Sequence, residues 1–297
     1  MKKLKITLSF IFSHPLAKRH FFKALCRLIS WQLQSAYDPS KFFVKSFIPP
    51  VKFYVRKGLT GITGNIYAGM HEFNEMAFLL HFLRDEDAFI DVGANVGAYT
   101  MLASGVCGAT TIALEPVNST FDILLKNIEL NQLKDKATAI NAAAGSETGT
   151  IKFTSANDTT NHVVAEKEVI TSENIEVKLL TIDSLIQKNI PRLVKIDVEG
   201  FEAEVLKGMT NILNAEGLKG IIIELNGSGN RYGYNEADIH QNLLKQGFQP
   251  YLYDPFKRAL AETPTFGTHN TIYCRDLEFI RHRIEKAPKI SVLGEMI

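Results

Sequence analysis

The chain has 297 residues, of which 45% are hydrophobic and 22% charged, a composition typical of a globular protein with its own core. Its 33 basic and 32 acidic residues leave a formal charge of +1. The chain as a whole therefore lacks the large positive charge by which strongly basic proteins attract nucleic acid. The cysteines, Cys26, Cys107 and Cys274, are far apart and form no CxxC pair, which excludes a zinc ribbon or disulfide scaffold. We therefore expect buried thiols and a cytoplasmic location.

Three lysines, Lys2, Lys3 and Lys5, precede a short apolar run over residues 6–12 at the start of the sequence. A membrane-spanning helix needs roughly 20 apolar residues, so this run does not predict a span. No small-residue cleavage site follows, and we expect no signal peptide. The pattern favours a helix packed on the rest of the protein. A basic amphipathic helix resting on a membrane surface is the alternative.

The next segments predict short, mixed elements. Apolar residues at helical spacing predict a helix over residues 20–33, which Asp38-Pro39 ends. β-favouring residues on both sides of Pro49-Pro50 predict two short strands. The glycines of GLTGITGNIYAG then predict an irregular, turn-rich stretch, followed by a helix in HEFNEMAFLLHFL.

From residue 88 onward, short β-rich runs alternate with helical ones, beginning with FIDV and TIALEP. This alternation predicts an α/β fold with a mostly parallel sheet covered by helices on both faces. NTIYCRD follows FQPYLYD through a loop, which allows an antiparallel last strand. Residues 149–180 predict a hairpin-like insertion with a mobile tip. We expect a main domain over residues 76–297, preceded by an extension of helices and short strands over residues 1–75.

A glycine-rich turn, DVGANVG, follows the first strand of this pattern. Gly93 and Gly97 permit a sharp turn and a close backbone approach, and the following helix offers its amide groups to an anionic group. Dinucleotide sites need G-x-G-x-x-G, but the third position here is Asn95, and no G-K-[ST] of a P-loop follows. Asp91 at the strand end repels a pyrophosphate. It suits a cationic ligand such as S-adenosylmethionine, which carries an ammonium and a sulfonium.

Glu115 ends the second strand, TIALEP, about 20 residues after the glycines. An acidic side chain at this place accepts hydrogen bonds from ribose hydroxyls in nucleotide-binding α/β folds. Pro116 then stops the strand. Alone, Glu115 would be read as a solvated loop carboxylate, but its spacing from the glycine turn predicts a ribose contact.

Four segments of the chain resemble the FkbM-type methyltransferase family. They are FIDVGANVGAYTMLAS, IALEPVNSTFDILLKNIELN, INAAAGSETGTIKF and LVKIDVEGFEAEVLKGM, followed by IIIELN. They cover roughly residues 88–226 in the expected order, within a family-like core of about 88–250. KIDVEG at this distance after DVGANVG is the most specific part of the resemblance.

The resemblance implies a Rossmann-like class I methyltransferase sheet of seven mostly parallel strands, the last of them antiparallel. It implies S-adenosylmethionine as the methyl donor. It also implies O-methylation, with the acceptor hydroxyl on a glycan, a lipid-linked sugar or a secondary metabolite.

The resemblance further assigns site residues by position. The residues that it places along the methionine part of the cofactor are Asp91, Gly93, Asn95 and Gly97. It implies that Glu115 holds the ribose and that Asn141 and Ala142 flank the adenine. It implies that Asp197 and Glu199 stand beside the methyl group.

Oxygen-bearing side chains follow two neighbouring strands. Asp197 and Glu199 alternate after one strand, and Glu224 and Asn226 after the next, so each pair shares a face. One interpretation makes a carboxylate, Glu199 for example, the general base or hydrogen-bond anchor for a hydroxyl acceptor. Another makes Asp197, Glu224 and Asn226 a site for Mg²⁺, which prefers such oxygen ligands.

A third interpretation gives these side chains no role in chemistry. In it, some of them cap helices or pair with Lys195 and Arg231, and Lys195 itself shapes the strand. We favour the base or anchor, and we predict no metal site, with Mg²⁺ as the less favoured alternative.

The two loops at this edge are candidates for the acceptor side. His162 lies in the polar insertion, which is predicted to fold over the site as a lid, and a histidine there can deprotonate a hydroxyl near neutral pH. A solvated loop histidine is the alternative. The segment ELNGSGNRYGYNE is predicted to form another wall of the acceptor pocket.

Three other functions compete with that of a small-molecule or glycan O-methyltransferase. A nicotinamide-dependent oxidoreductase shares the fold but needs the phosphate-cradling glycines. A nucleic-acid methyltransferase is disfavoured by the neutral charge and by the absence of a D/N-P-P-Y motif. A non-catalytic binding module is the remaining alternative. The identity of the acceptor and the oligomeric state do not follow from the sequence.

Overall fold

A computed structural model describes residues 2–156, 160–171, 173–186 and 189–297. The helices, in chain order, are α1 (Lys2–Ser13), α2 (Phe21–Tyr37), α3 (Thr60–Ala68), α4 (Phe73–Phe82), α5 (Ala98–Met101), α6 (Asn118–Leu130), α7 (Ile182–Leu185), α8 (Glu202–Lys207), α9 (Thr210–Asn214), α10 (Glu236–Lys245) and α11 (Leu277–Glu285). Shorter helical turns cover Ala17–His20, Leu102–Val106 and Ser228–Tyr232.

The strands, in chain order, are β1 (Phe43–Ser46), β2 (Lys52–Val55), β3 (Ala88–Val92), β4 (Thr110–Leu114), β5 (Ala137–Ile140), β6 (Ala143–Ala144), β7 (Gly149–Thr154), β8 (Asn174–Leu180), β9 (Leu193–Ile196), β10 (Gly220–Glu224), β11 (Gln249–Asp254), β12 (Ala259–Glu262), β13 (Asn270–Cys274), β14 (Ser291–Val292) and β15 (Glu295–Met296).

The central sheet has the strand order β12-β11-β13-β10-β9-β3-β4-β5 among the described residues. The five strands from β10 to β5 run parallel, and β13 is antiparallel to both β10 and β11. Strand order reverses between β3 and β9, which is where open α/β sheets bind their ligands. The sheet confirms the predicted Rossmann-like methyltransferase class and its antiparallel last strand.

Each face of the sheet is buried under helices, so its inner strands are apolar on both sides. On β3, Phe89 belongs to a core that includes Phe78 of α4. Its neighbour Ile90 belongs to a second core, which includes Val205 of α8. This two-sided burial is the reason that the inner strands read as continuous apolar runs.

The insertion forms a small sheet of its own. Strands β7 and β8 pair antiparallel, as the sequence predicts, and β6 lies parallel to β8. Phe153 and Val177 are buried there in a core with Val117. Residues 157–159 and 172, which belong to the predicted mobile tip, lie outside the described residues.

The N-terminal elements pack onto the sheet and share its core. The predicted strands flanking Pro49-Pro50 are β1 and β2, which pair antiparallel across a cis Pro49-Pro50 bond. Trp31 of α2 and Phe47 belong to the same core as Phe89 of the central sheet. Among the described residues, no helix is long and apolar enough to cross a membrane.

One expectation about this region is wrong: the glycine-rich stretch GLTGITGNIYAG contains a regular helix, α3. Its glycines lower helix propensity, but tertiary packing outweighs that effect because Ile62 and Ala68 are buried. Gly64 is required by close packing, since a Cβ there would overlap the imidazole of His71.

The sheet also differs in detail from its predicted form. An eighth strand, β12, extends the edge by pairing antiparallel with β11, after a turn in which Arg258 has a φ of 51°. Its sequence, ALAE, has little β propensity and gives no alternation signal. The predicted strand ATAINAAAG is divided between β5 in the central sheet and β6 in the insertion.

Asn127 on α6 connects the N-terminal strands to the glycine-rich turn. It is fully buried, and its Oδ1 accepts a hydrogen bond from the Tyr54 N–H of β2 at 2.8 Å. Its Nδ2 donates to the carbonyl of Val96 at 2.9 Å. One side chain thus satisfies two backbone groups from separate parts of the chain.

We expect Asn127→Ala to lower the free energy of unfolding by roughly 2–4 kcal/mol, because it leaves one buried and one partly buried backbone group without this partner. Urea denaturation measures the difference. Asn214→Ala is the matched control, since Asn214 is exposed and bonds only to Thr210 within its own helix. Equal losses in the two variants would contradict the role of Asn127.

Candidate active site

A cavity of about 360 Å³ lies at the carboxyl ends of β3, β4 and β9, at the strand-order reversal. This volume falls in the range of small-molecule sites, about 300–1,000 Å³. The turn after β3 and the loops after β4 and β5 form its first walls. The insertion adds Phe153 and Val163, and the N-terminal region adds His71 and Glu72.

The glycine-rich turn is shaped by close packing. Gly93 and Gly97 have φ values of 79° and 94°, and Asn95, a residue tolerant of this region, has 51°. A Cβ at Gly93 would overlap the carbonyl oxygen of Asp197, and one at Gly97 would lie 2.6 Å from Leu124 Cδ1. Gly93 therefore lets the end of β3 touch the end of β9, and the two ends share the cavity.

Asp91 is buried at the end of β3 and lines the cavity. Its Oδ2 accepts hydrogen bonds from the Thr100 N–H at 3.0 Å and from the Thr100 hydroxyl at 2.7 Å. Burial raises the pKa of Asp91, and the charge of Lys195 opposes that shift. The carboxyl group therefore anchors the helical segment after the turn and also faces the ligand space.

Glu115 follows β4, the strand next to β3, and organises two loops of the cavity. Its Oε2 accepts from the Asn95 N–H at 3.0 Å, and its Oε1 accepts from the Val117 N–H at 2.9 Å. Burial raises its pKa to about 7. Asn141 donates through Nδ2 to the carbonyls of Glu115 and Pro116, so its side chain holds the loop, whereas Ala142 lines the cavity.

Three carboxylates converge in the same cavity. Asp197, Glu199 and Glu224 each place an oxygen within 4.8 Å of the others. The ammonium of Lys195, whose side chain is 4% exposed, lies 2.7 Å from Asp197 Oδ2. The sequence spacing predicts that Asp197, Glu199, Glu224 and Asn226 converge at this edge of the sheet. The structure brings the three carboxylates together but not Asn226.

Burial and mutual repulsion shift the titration of this acidic cluster. Burial, then the charge of Asp197, raises the pKa of Glu199 to about 7. The same two causes, in the same order, raise the pKa of Glu224 well above its usual value. Glu199 also has a φ of 54°, an uncommon conformation for a side chain of this size.

Two other predicted residues lie elsewhere. Asn226 is exposed, and its Oδ1 accepts from the Ser228 N–H at 2.9 Å, so it does not join the three carboxylates. His162 faces a separate hollow beside the insertion. Its Nε2 lies 3.1 Å from Glu168 Oε1, and its Nδ1 lies 2.9 Å from the Thr160 carbonyl.

The structure adds cavity residues that the sequence analysis did not assign to the site. Lys195 lines the cavity, with its Nζ 4.9 Å from the ring centroid of Tyr99. The Tyr99 hydroxyl donates to Glu72 Oε2 at 2.5 Å. Lys195 could have been recognised from the sequence, because it is a charged residue inside the otherwise apolar strand LVKI. No local pattern marks Glu72.

Comparison with known proteins gives consistent matches. A family model described as "Methyltransferase FkbM domain" matches residues 91–250. The chain is 31% identical over 150 residues to the hexuronic acid methyltransferase AglP of Haloferax volcanii, covering 50% of this chain and 59% of that protein. It is 25% identical over 153 residues to the methyltransferase sdnD of Sordaria araneosa, covering 40% of this chain and 59% of that protein.

A solved structure of an FkbM methyltransferase from Methylobacillus flagellatus aligns with a TM-score of 0.45 and 16% identity. That alignment covers 65% of this chain and 44% of the other. The chain therefore spans less than two thirds of the length of each of these relatives.

We expect Gly93→Ala to destabilise the protein by roughly 3–5 kcal/mol, because it adds an overlap with the Asp197 carbonyl to the strain of a positive φ. Gly233→Ala is the matched control, since Gly233 has a φ of 77° and open space around it. The control should lose only about 1–2 kcal/mol. Denaturant unfolding compares the two, and similar losses would show that packing against Asp197 is unimportant.

Proposed function

Because the chain belongs to the FkbM methyltransferase family, we propose that it transfers a methyl group from S-adenosylmethionine to a hydroxyl oxygen of its acceptor. We further propose that the acceptor is a glycan, a lipid-linked sugar or a secondary metabolite. The relative named as a hexuronic acid methyltransferase supports a sugar.

This proposal rests on one observation: the residues suited to bind the cofactor and the three clustered carboxylates line the same cavity. The glycine-rich turn and Glu115 are the cofactor-binding part, and Asp197, Glu199 and Glu224 are the part that would contact the acceptor. A donor bound along the turn and an acceptor bound at the carboxylates would therefore meet in the same cavity.

The described residues fit this cofactor. Asp91 and Asp197 present carboxyl groups to a ligand that carries an ammonium and a sulfonium. Each oxygen of Glu115 accepts one N–H and keeps a further lone pair, so ribose hydroxyls can still donate to it. Ala142 and its neighbours in the loop after β5 provide a small apolar wall that suits a flat adenine ring.

When bound, S-adenosylmethionine supplies an electrophilic methyl group on its sulfonium. The protein's part is to hold the acceptor hydroxyl in line, exclude water and take up a proton. Phe153, Val163 and Phe201 line the cavity and form an apolar side that limits water.

Glu199 is the group best suited to accept the hydroxyl proton. A pKa of about 7 leaves it divided between both forms near neutral pH, as a general base requires. Asp197 is engaged in the ion pair with Lys195 at 2.7 Å. Glu224, with its raised pKa and its hydrogen bond to Asp197, stays protonated and can orient the acceptor.

The same carboxylates offer hard oxygen ligands, so Mg²⁺ is the competing explanation. The Lys195 ammonium already neutralises Asp197 at 2.7 Å, and Asn226 points elsewhere. For these two reasons we propose that a protonatable base, not a metal ion, activates the acceptor.

Calorimetry is expected to detect binding of S-adenosylmethionine and no comparable binding of NAD. Glu115→Gln should weaken that binding roughly 10–100-fold, because it removes a charged acceptor that fixes two loops. The exposed Glu129→Gln is the matched control. Tight NAD binding without S-adenosylmethionine binding would support the oxidoreductase alternative, and binding of neither would favour a non-catalytic module.

Glu199→Gln is expected to lower kcat roughly 10²–10⁴-fold while leaving the affinity for S-adenosylmethionine nearly unchanged. A base acts only when deprotonated, so wild-type activity should rise with pH through about 7. The variant should lose this rise. Transfer of labelled methyl to sugar acceptors across the pH range measures both effects.

Asn226→Ala is the control at the next strand end, and it should leave the rate nearly unchanged. A chelator added to the wild type should also leave the rate unchanged. Loss of activity in chelator, with recovery in Mg²⁺, would assign the cluster to a metal and overturn the role of Glu199 as base.

A further inference from the structure

Helix α2 carries two apolar faces, and only one of them is buried. The inner face consists of Ala24, Leu28, Trp31 and Ser35, which are buried against the rest of the protein. The outer face consists of exposed residues at the same helical spacing, namely Phe22, Cys26, Ile29, Leu33 and Tyr37.

The exposure of the outer face is large for side chains of this kind. Phe22 is 80% exposed, Leu33 69% and Tyr37 94%. Isolated apolar side chains on a surface are ordinary, but a contiguous row along one helix marks a contact surface. The row extends onto α1, because the exposed Phe12 stacks on Phe21 with a ring separation of 4.5 Å.

The charge of the same segment is strongly one-sided. Residues 1–37 contain no Asp or Glu. They contain these basic residues: Lys2, Lys3, Lys5, Lys18, Arg19, Lys23 and Arg27. The whole chain has a net charge of only +1, so this segment concentrates positive charge that is balanced elsewhere.

Two of these basic residues make contacts within the fold. Arg27 donates to the carbonyl of Tyr67, and Arg19 pairs with Glu295. Lys23 is exposed next to Phe22 in α2, and Lys18 is exposed in the turn that precedes this helix. An apolar row accompanied by exposed lysines is the arrangement of a helix that lies in the plane of an anionic membrane surface.

We propose that the outer face of α2, with Phe12 of α1, docks the protein onto an anionic lipid surface. The apolar side chains would enter the headgroup region, and the lysines would contact the lipid phosphates. A second copy of the chain fits the surface less well, because a self-complementary interface would bring like-charged segments together.

Helix α1, which carries Phe12, also contacts the cavity lining. Phe10 of α1 stacks on His71 with a ring separation of 4.7 Å, and His71 lines the cavity. The proposal itself does not depend on the methyl-transfer chemistry, since it rests on the surface of the N-terminal helices alone.

Vesicle co-sedimentation of the full chain tests the proposal. We expect binding to vesicles of phosphatidylglycerol and phosphatidylcholine in equal parts, and much weaker binding to phosphatidylcholine alone. Lys18→Glu/Lys23→Glu should weaken binding at least about thirtyfold, because each lysine near an anionic surface adds on the order of 1 kcal/mol. Lys245→Glu/Lys257→Glu changes two exposed lysines elsewhere and should have little effect.

The apolar side chains are tested in the same assay. Phe22→Ser/Leu33→Ser should weaken vesicle binding roughly tenfold or more. Leu252→Ser is the control, since Leu252 is 60% exposed on β11. The proposal would be overturned if binding were absent, equal on both kinds of vesicle, or unchanged in these variants. It would also be overturned if light scattering showed a dimer that Phe22→Ser/Leu33→Ser dissociates.

Cys26 gives a readout that needs no destabilising variant. It is exposed in the outer face, whereas Cys274 is buried and burial raises the pKa of Cys107 to about 12. A polarity-sensitive fluorophore on Cys26 should shift to shorter wavelength on anionic vesicles. An unchanged spectrum at saturating lipid would overturn the proposal.

Discussion

The ion pair between Lys195 and Asp197 sets the electrostatics of the whole cavity. Lys195 lies within an otherwise apolar strand, with its ammonium near Asp197 and also interacting with the charges of Glu72 and Asp91. A buried carboxylate without a partner is expensive, so one buried cation makes it possible to group several acids in a small space. Burial, and then the remaining excess of negative charge, raises the pKa values of Glu199 and Glu224.

The N-terminal region belongs physically to this site. Its side chains share the core beneath the sheet, and Glu72 reaches the cavity, where it accepts a hydrogen bond from Tyr99. The segment before the family-like core therefore supplies a wall of the cavity as well as the exposed face of α2. Two separate physical properties, acidity inside and positive charge outside, arise from neighbouring parts of the same chain.

The position of a site residue could be predicted from the sequence where that residue directly follows a strand of the central sheet. Glu115 and the glycine turn follow β4 and β3 directly, so spacing along the sequence placed them at one edge. The directions of Asn226 and His162 depend on loop contacts that have no local signature. Helix α3 has no local signature either, because its glycines lower helix propensity and the burial of Ile62 and Ala68 is a tertiary effect.

Asn127 links the two regions thermodynamically as well as structurally. Its amide bonds both to the backbone of Tyr54 and to that of Val96, in the turn that lines the cavity. A ligand that restricts the turn would therefore also slow hydrogen exchange at the Tyr54 amide. By thermodynamic reciprocity, local opening of the β1–β2 hairpin would weaken the binding of that ligand by the same free energy. The hairpin is thus an energetic part of the binding site although it lies outside the cavity.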